Sequence, residues 1–292
     1  MKLNPPRNLL SFTCAVFLIL IGARTATANA TAPEKITAEE VIAKHLESIG
    51  SAEARAAVRS RIIQGSVVAN VRIGGSGQSK GGAVMASQGT MSLLGMIFGP
   101  QEYSNEKAGF DGRKLTLGEL RPGIRTNLGG FFLTHDLIFK EGLLGGTLSS
   151  AWPLLDLPAR KAKLKYAGTK KINDRLVYVL KYEPHSGSNL DIRLYFDTET
   201  FQHVGTEYEQ DFPPPPVSRP QDAAQQKETH LKLTEEFSDF KREGGVILPH
   251  TYKLQLSFDT SNNPLLQDWL LTLTQFVFNR PIDQKQFDLA AK

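Results

Sequence analysis

The sequence is poor in cysteine, since Cys14 is the single one among 292 residues. Cys14 lies inside an apolar run with no small-residue box before it, so it does not match the lipidated cysteine of a lipoprotein signal. Beyond residue 30 the chain offers no disulfide, no thiol nucleophile and no cysteine metal ligand. We therefore expect the fold to be held together by its apolar core and by strand pairing.

Long hydrophobic runs and excess charge are also missing. No segment after residue 30 approaches about 18 consecutive apolar residues, so we expect no transmembrane helix there. The formal charge is +4, but without Lys2, Arg7 and Arg24 the chain has 31 basic residues against 30 acidic ones. A nearly neutral protein has no electrostatic reason to bind nucleic acid or anionic lipid.

The first thirty residues have the pattern of a secretory signal peptide. Lys2 and Arg7 precede an apolar run from Leu9 to Ile21, and small residues follow up to Ala30. This pattern predicts cleavage after Ala30 and an exported chain, residues 31–292, that forms one domain. An uncleaved membrane anchor is the alternative, although the apolar run is short for a span.

Two short helices are predicted directly after the signal peptide. Thr37 and Glu40 form a capping box, and an apolar stripe follows on one helical face. Ser51 can cap a second helix over residues 52–58. Because a helix with a single apolar stripe must pack on a surface, we expect both helices to lie on the concave side of a sheet. The stripe consists of Val41, Ile42, Leu46 and Ile49.

From Arg61 onward the apolar period changes from that of a helix to two. Apolar residues alternate with polar ones through residue 279, and turn sequences interrupt the pattern at short intervals. This pattern predicts an α+β protein with about ten or eleven strands in one curved antiparallel sheet, an incomplete β-barrel. Two segments break the alternation. Residues 126–155 are predicted to be a helical insertion over the concave face, and residues 211–227 a Pro-rich loop.

A search for catalytic residues finds no G-x-S-x-G elbow, no H-E-x-x-H helix and no P-loop. His185 and His203 could meet near Asp191 to bind a metal, but scattered surface histidines are the simpler interpretation. Two carboxylate pairs could support hydrolysis, although solvated side chains explain them as well. These pairs are Glu207 with Glu209 and Glu235 with Glu236.

One basic cluster follows the helical insertion. Lys161, Lys163 and Lys165 alternate with apolar residues, and Lys170 and Lys171 come shortly after them. A solvated outer strand face is the favoured interpretation, and a binding patch is the alternative.

The second half of the chain contains three hairpin motifs. They are Gly168-x-x-Lys171-Ile172-Asn173-Asp174-Arg175-x-x-Tyr178-Val179-Leu180, Arg193-Leu194-Tyr195-Phe196-Asp197-x-Glu199-Thr200-Phe201, and Phe237-Ser238-Asp239-Phe240 ahead of Gly244-Gly245-Val246-Ile247-Leu248-Pro249-His250. These motifs resemble those of the LolA/LolB family of exported bacterial lipoprotein carriers. The similarity is clearest over residues 160–258 and extends to residues 37–160 in outline. The motifs are turn and core sequences, so they are typical of a fold and identify no active site.

The resemblance implies a periplasmic, non-enzymatic carrier that holds lipid or lipoprotein acyl chains in an apolar cavity closed by helices. It implies no cofactor and no metal, and we expect a monomer whose other partner is a membrane-bound protein. A sensor or assembly factor using the fold as a protein-interaction platform is the alternative, and an exported hydrolase is the third reading.

The cavity is predicted from large apolar side chains that an exposed connection would not carry. We expect the 126–155 insertion and the apolar run Met91–Phe98 to cap it, with the possibility that these side chains simply fill the barrel. The predicted lining residues are Leu93, Leu94, Met96, Phe98, Phe131, Phe132, Ile138 and Phe139.

Overall fold

The computed structural model describes residues 36–72, 76–99, 103–119, 123–213, 229–259 and 265–290. The chain divides into two compact units, residues 1–35 and 36–292. The predicted signal peptide lies in the first unit, outside the described residues. Most of the predicted Pro-rich loop also falls outside them.

Two helices open the second unit as the capping pattern predicts. Helix α1 spans Ala38–Ile49, with the Thr37 hydroxyl accepting from the Glu40 amide (3.2 Å) and the Glu40 carboxylate accepting from the Thr37 amide (2.7 Å). Helix α2 spans Ala52–Ala57 and is capped by Ser51. Within the described ranges, no helix combines the length and apolar character that a membrane span requires.

The described residues contain twelve strands, one more than the upper expectation. They are β1 (Ser60–Arg72), β2 (Ser76–Gln88), β3 (Met91–Phe98), β4 (Glu106–Phe110), β5 (Leu115–Leu117), β6 (Lys163–Ile172), β7 (Arg175–Glu183), β8 (Asp191–Asp197), β9 (His203–Phe212), β10 (Thr229–Glu243), β11 (Val246–Asp259) and β12 (Leu265–Phe278). All of them belong to one antiparallel sheet, in the order β5-β4-β3-β2-β1-β12-β11-β10-β9-β8-β7-β6. The predicted single open sheet is therefore confirmed.

Two meanders make up this sheet. Strands β1 to β5 form the first and β6 to β12 the second, and each strand in them pairs with its neighbour along the chain. The two meanders are joined where β1 pairs with β12, with Arg61 opposite Phe278 and Ala69 opposite Trp269. Among the described residues, β5 and β6 are the two edges of the sheet.

The connection between the meanders consists of short helices and turns, and we call residues 127–160 the cap. It contains α3 (Asn127–Thr134), α4 (Leu137–Lys140), single 3₁₀ turns at Gly146–Leu148 and Pro153–Asp156, and α5 (Leu157–Arg160). The helices are interrupted at Gly142 and at Gly145-Gly146, which all have positive φ. The cap lies on the face of the sheet that also carries α1, which we call the inner face.

The apolar run Met91–Phe98 corrects one expectation, because it is strand β3 and not a second cap segment. Its burial does not alternate cleanly, since both of its faces are covered. The C-terminal segment packs Ile282 and Phe287 on the outer face near Leu93. The cap covers the inner face of the same strand.

Candidate binding site beneath the cap

A continuous apolar layer fills the space between the cap and the inner face of the sheet. Seven of the eight predicted lining residues are buried in this one cluster. The rings of Phe132 and Phe139 meet edge to face, with 5.0 Å between their centroids. The seven are Leu94, Met96 and Phe98 from β3, Phe131 and Phe132 from α3, and Ile138 and Phe139 from α4.

Leu93 is the exception among the eight residues. Successive side chains of a strand point to opposite faces, so Leu93 cannot lie with Leu94 and Met96. It packs on the outer face with Phe287 and Ala86 instead. The structure therefore separates Leu93 from the other predicted lining residues.

The apolar layer is tightly packed in this conformation. A gap bordered by Leu94, Phe139, Leu144 and Leu148 has a volume of about 10 Å³. Such a volume holds about one water molecule at most. An acyl chain could enter this gap only if the cap or its side chains moved.

Arg61 is a polar residue that sequence reasoning missed. Its guanidinium Nη1 donates to the Thr147 carbonyl oxygen and, at 3.4 Å, to that of Ser149, so it joins β1 to the cap. Arg61 is only 2% exposed, and its Nε has no hydrogen-bond partner among the residues that the structure describes. Burial lowers the pKa of Arg61 to about 10, so it remains a cation at neutral pH.

Glu235 on β10 holds the cap from the middle of the sheet. Its Oε1 accepts from the Gly145 amide (2.7 Å) and the Tyr252 hydroxyl (2.6 Å), and its Oε2 accepts from the Tyr208 hydroxyl (2.7 Å). Burial raises the pKa of Glu235 to about 7, although these three donors act in the opposite direction. The carboxyl group is therefore fully satisfied by hydrogen bonds within the core.

A buried pair of histidines connects α1, the cap and β9. Trp152 Nε1 donates to His45 Nε2 (3.1 Å), and His45 Nδ1 lies 3.0 Å from the Phe201 carbonyl oxygen. The Trp152 ring stacks on His203 with centroids 4.5 Å apart. Burial lowers the pKa of His45 to about 4 and that of His203 well below its usual value. The expectation of a surface histidine is therefore wrong for His203, which completes the core together with His45.

Two further contacts attach the cap to the sheet at other points. Tyr182 of β7 donates its hydroxyl to Glu141 Oε2 (2.6 Å). The Ser150 amide donates to Ser87 Oγ of β2 (2.9 Å). The cap is thus attached by polar groups from several strands around an apolar interior.

The carboxylate pairs considered for catalysis are not arranged as an acid and a base. Glu235 points to the inner face and Glu236 to the outer one, since they are adjacent on β10. Glu207 and Glu209 do share a face, but both are ion-paired with Arg193, at 3.0 and 3.2 Å.

The suggested metal site is not assembled either. His203 lies in the core, whereas His185 is exposed in the turn between β7 and β8. In the part of the chain that the structure describes, no three histidine, cysteine, aspartate or glutamate side chains are grouped as metal ligands would be.

Comparisons with known proteins find similar structures but no similar sequences. No protein-family model and no curated protein matches the chain. The chain is similar to a LolA superfamily protein of Nitrosomonas europaea, with 14% identity over 87% of this chain and 98% of that one and a TM-score of 0.43. The description of that protein names the family that the hairpin motifs resemble.

Two other solved structures are similar to a comparable degree. One is a DUF1329 family protein of Desulfovibrio piger, with 9% identity, 87% and 98% of the two chains covered and a TM-score of 0.43. The other is described as an outer membrane lipoprotein-sorting protein domain of Vibrio parahaemolyticus, with 12% identity, 84% and 97% coverage and a TM-score of 0.42.

Proposed function

We propose that this protein binds an acyl chain of a lipid or lipoprotein without altering it chemically, between the cap and the inner face of the sheet. One observation supports the proposal: the interface between the cap and the sheet is apolar inside, whereas the cap is attached to the sheet by polar contacts. Its interior is a continuous apolar layer. Its attachment depends on separate polar contacts from Arg61, Glu235 and Ser87 to backbone groups of the cap.

The energetics of the layer favour an acyl ligand over a polar one. Each methylene group that leaves water contributes about 0.8 kcal/mol. In the closed form the cap side chains occupy the apolar layer, so a ligand must replace their contacts with the sheet. When the cap moves away from the sheet, it uncovers apolar surface. The free-energy cost of this opening is smallest when an acyl chain covers the same surface, because little of it is then exposed to water.

The proposal includes a cellular role. After export through the signal peptide over residues 1–30, the protein would shield acyl chains in the periplasm on their way to the outer membrane. A membrane-bound protein would deliver or receive the ligand.

A reversible lock on the cap tests this proposal. The Ser150 amide nitrogen of the cap lies 2.9 Å from Ser87 Oγ of β2, so these neighbouring residues are the pair to cross-link, in Ser87→Cys/Ser150→Cys. In protein that begins at Thr31 these would be the only two cysteines. We expect the oxidised variant to take up a fluorescent fatty acid at least tenfold more weakly than the wild type, and reduction to restore uptake. The Ser87→Cys single variant, treated identically, is the control.

Two results would argue against acyl binding beneath the cap. The first is equal uptake by the oxidised and reduced double variant, which would place the ligand elsewhere. The second is no uptake by the wild type, which would make the apolar layer a permanent core and favour the protein-interaction platform.

A further inference from the structure

A groove lies on the outer face of the sheet, on the side away from the cap. Strand β6 has a register shift between Tyr166 and Thr169, where Gly168 has a φ of +98°. Beyond this bulge the β6–β7 hairpin reaches over the outer face. At its tip Asn173 Nδ2 lies 3.5 Å from Glu236 Oε2 of β10, although β8 and β9 lie between. The groove beneath the hairpin has a volume of about 580 Å³.

The floor of this groove is apolar. Val177 and Tyr195 are buried there, and Val204 packs against them. The outer face of an antiparallel sheet usually carries solvated polar side chains, so an apolar cluster at this place on the outer face is unusual. An apolar floor can hold the carbon part of a small molecule.

The walls of the groove are rich in cations. Lys170, Lys171 and Arg175 belong to the hairpin, and Lys232 lies opposite them on β10. The bulge thus divides the basic residues of β6, because Lys163 and Lys165 before it are exposed, whereas Lys170 and Lys171 after it line the groove.

Two glutamates that line the groove, Glu207 and Glu236, are already ion-paired with cations of the sheet, one of which is Lys232. Glu207 pairs with Lys232 (2.6 Å) and with Arg193 (3.0 Å), and Glu236 pairs with Lys253 (3.2 Å).

The hairpin cations are more available than those of the sheet. Lys171 and Arg175 form partly exposed ion pairs with Asp174 (2.9 Å) and Asp197 (3.4 Å), which are worth little in water. Among the described residues no carboxylate lies within ion-pairing distance of Lys170. Its Nζ lies 5.4 Å from the centroid of the Tyr195 ring, beside the floor.

We propose that this groove binds the phosphate group of a small organic phosphate, with its carbon part on the apolar floor. Lysine is a point charge for phosphate, and the arginine guanidinium can donate two parallel hydrogen bonds to it. The hydroxyls of Thr234 and Ser238 also line the groove. Its volume lies within the range of roughly 300–1,000 Å³ typical of small-molecule sites and far exceeds that of a bare phosphate. This site is independent of acyl binding beneath the cap.

Calorimetric titration with phenyl phosphate tests the site, at constant ionic strength. We expect the wild type to bind it and Lys170→Gln/Arg175→Gln to bind at least tenfold more weakly. The control Lys163→Gln/Lys165→Gln removes the same charge from the same hairpin before the bulge, and its affinity should stay within twofold of the wild type. Thermal unfolding establishes that each variant is folded. Should the first variant not fold, amide NMR shifts of the wild type at Thr234 and Ser238 provide the test.

Three results would overturn the proposal: no binding by the wild type, an equal loss in both double variants, or amide shifts confined to other parts of the sheet. A parallel titration with phosphatidylglycerol vesicles identifies the source of the phosphate. Vesicle binding that is lost with Lys170→Gln/Arg175→Gln indicates a lipid headgroup. Phenyl phosphate binding without vesicle binding indicates a free organic phosphate.

Discussion

His45, Arg61 and Glu235 are polar residues at positions where the sequence period calls for apolar ones. His45 lies four residues after Val41 and four before Ile49, on the buried stripe of α1. The sequence therefore contained a signal for the residues that connect the cap, namely a polar side chain on an apolar row. What it could not provide was their partners, because these lie far away along the chain.

The same signal is visible on two strands. Arg61 shares a row with Ile63, and Glu235 lies between Leu233 and Phe237. The apolar members of the predicted site were easier to find, since size and hydropathy alone identify Phe132 or Phe139 as buried. Sequence left open whether they surround a cavity or fill the interior, because this depends on how the turns of the cap position them.

The protonation state of His45 is a prediction at the scale of one residue. Its Nε2 accepts from Trp152, so the proton must reside on Nδ1, which then donates to the Phe201 carbonyl. Because burial lowers its pKa to about 4, we expect this neutral tautomer to persist at pH 5.5. Two-dimensional NMR of the imidazole nitrogens measures it directly, with exposed His185 as the control. A protonated His45 or a proton on Nε2 at that pH would contradict the assignment.

The elements divide into those that local sequence specifies and those that tertiary contacts specify. Helix α1 was predictable because its cap and stripe are local, and the later hairpins because their alternation is regular. Strands β4 and β5 were missed, since they have five and three residues and are buried too evenly to alternate. Strand β3 was mistaken for a cap because the C-terminal segment covers its outer face, a contact between distant parts of the chain.

A turn of the cap and the turn between β7 and β8 depend on glycine to different degrees. Gly142 and Gly187 have similar φ values, 73° and 77°. A Cβ at Gly142 would lie 2.1 Å from the Ala151 carbonyl oxygen, whereas one at Gly187 would meet nothing within 4 Å. Gly187→Ala should therefore cost about 1–2 kcal/mol for the left-handed conformation alone. Gly142→Ala should cost about 3 kcal/mol or more, because the backbone of the cap must also move.

Urea unfolding of both glycine variants measures this difference. A loss of stability at Gly142 no larger than that at Gly187 would mean that the cap adapts without strain. In that case the cap is more deformable than its packing indicates, and the expected ordering of the two variants is wrong.

At the scale of the whole molecule, buried glutamates and buried histidines have opposite effects on how the free energy of unfolding depends on pH. The pKa of Glu235 and that of Glu106 are raised from 4.5 to about 7 by burial, so the folded state holds more protons than the unfolded state between these values. Their contribution to stability is complete below pH 4.5 and is lost as pH rises to 7. His45 and His203 act oppositely, because their lowered pKa values reduce stability as pH falls from 6.5 toward 4.

In the wild type the glutamate and histidine contributions to the pH dependence of stability offset each other. Removing a glutamate contribution should therefore make the histidine contribution visible. In Glu235→Gln, which keeps the shape of the side chain, the free energy of unfolding should rise more steeply with pH between 4.5 and 7. The added slope is up to about 1.4 kcal/mol per pH unit for one proton. Urea unfolding at five pH values measures it, with exposed Glu199→Gln as the control. Equal slopes for Glu235→Gln and the wild type would contradict the raised pKa.

In the described sheet the two meanders are joined only by the pairing of β1 with β12, which we call the seam. This pairing affects the order in which the sheet can assemble. Every other strand pairing in the described part of the chain joins strands that follow each other along the sequence, so each costs little loop-closure entropy. The pairing of Ala69 with Trp269 closes a loop of roughly 200 residues, and such non-local contacts slow folding. Until this seam closes, the newly made chain has two separate meanders, each with an unpaired edge at what becomes the middle of the sheet. The site beneath the cap depends on that late step, because Arg61 and Glu235 reach the same cap from opposite sides of the seam.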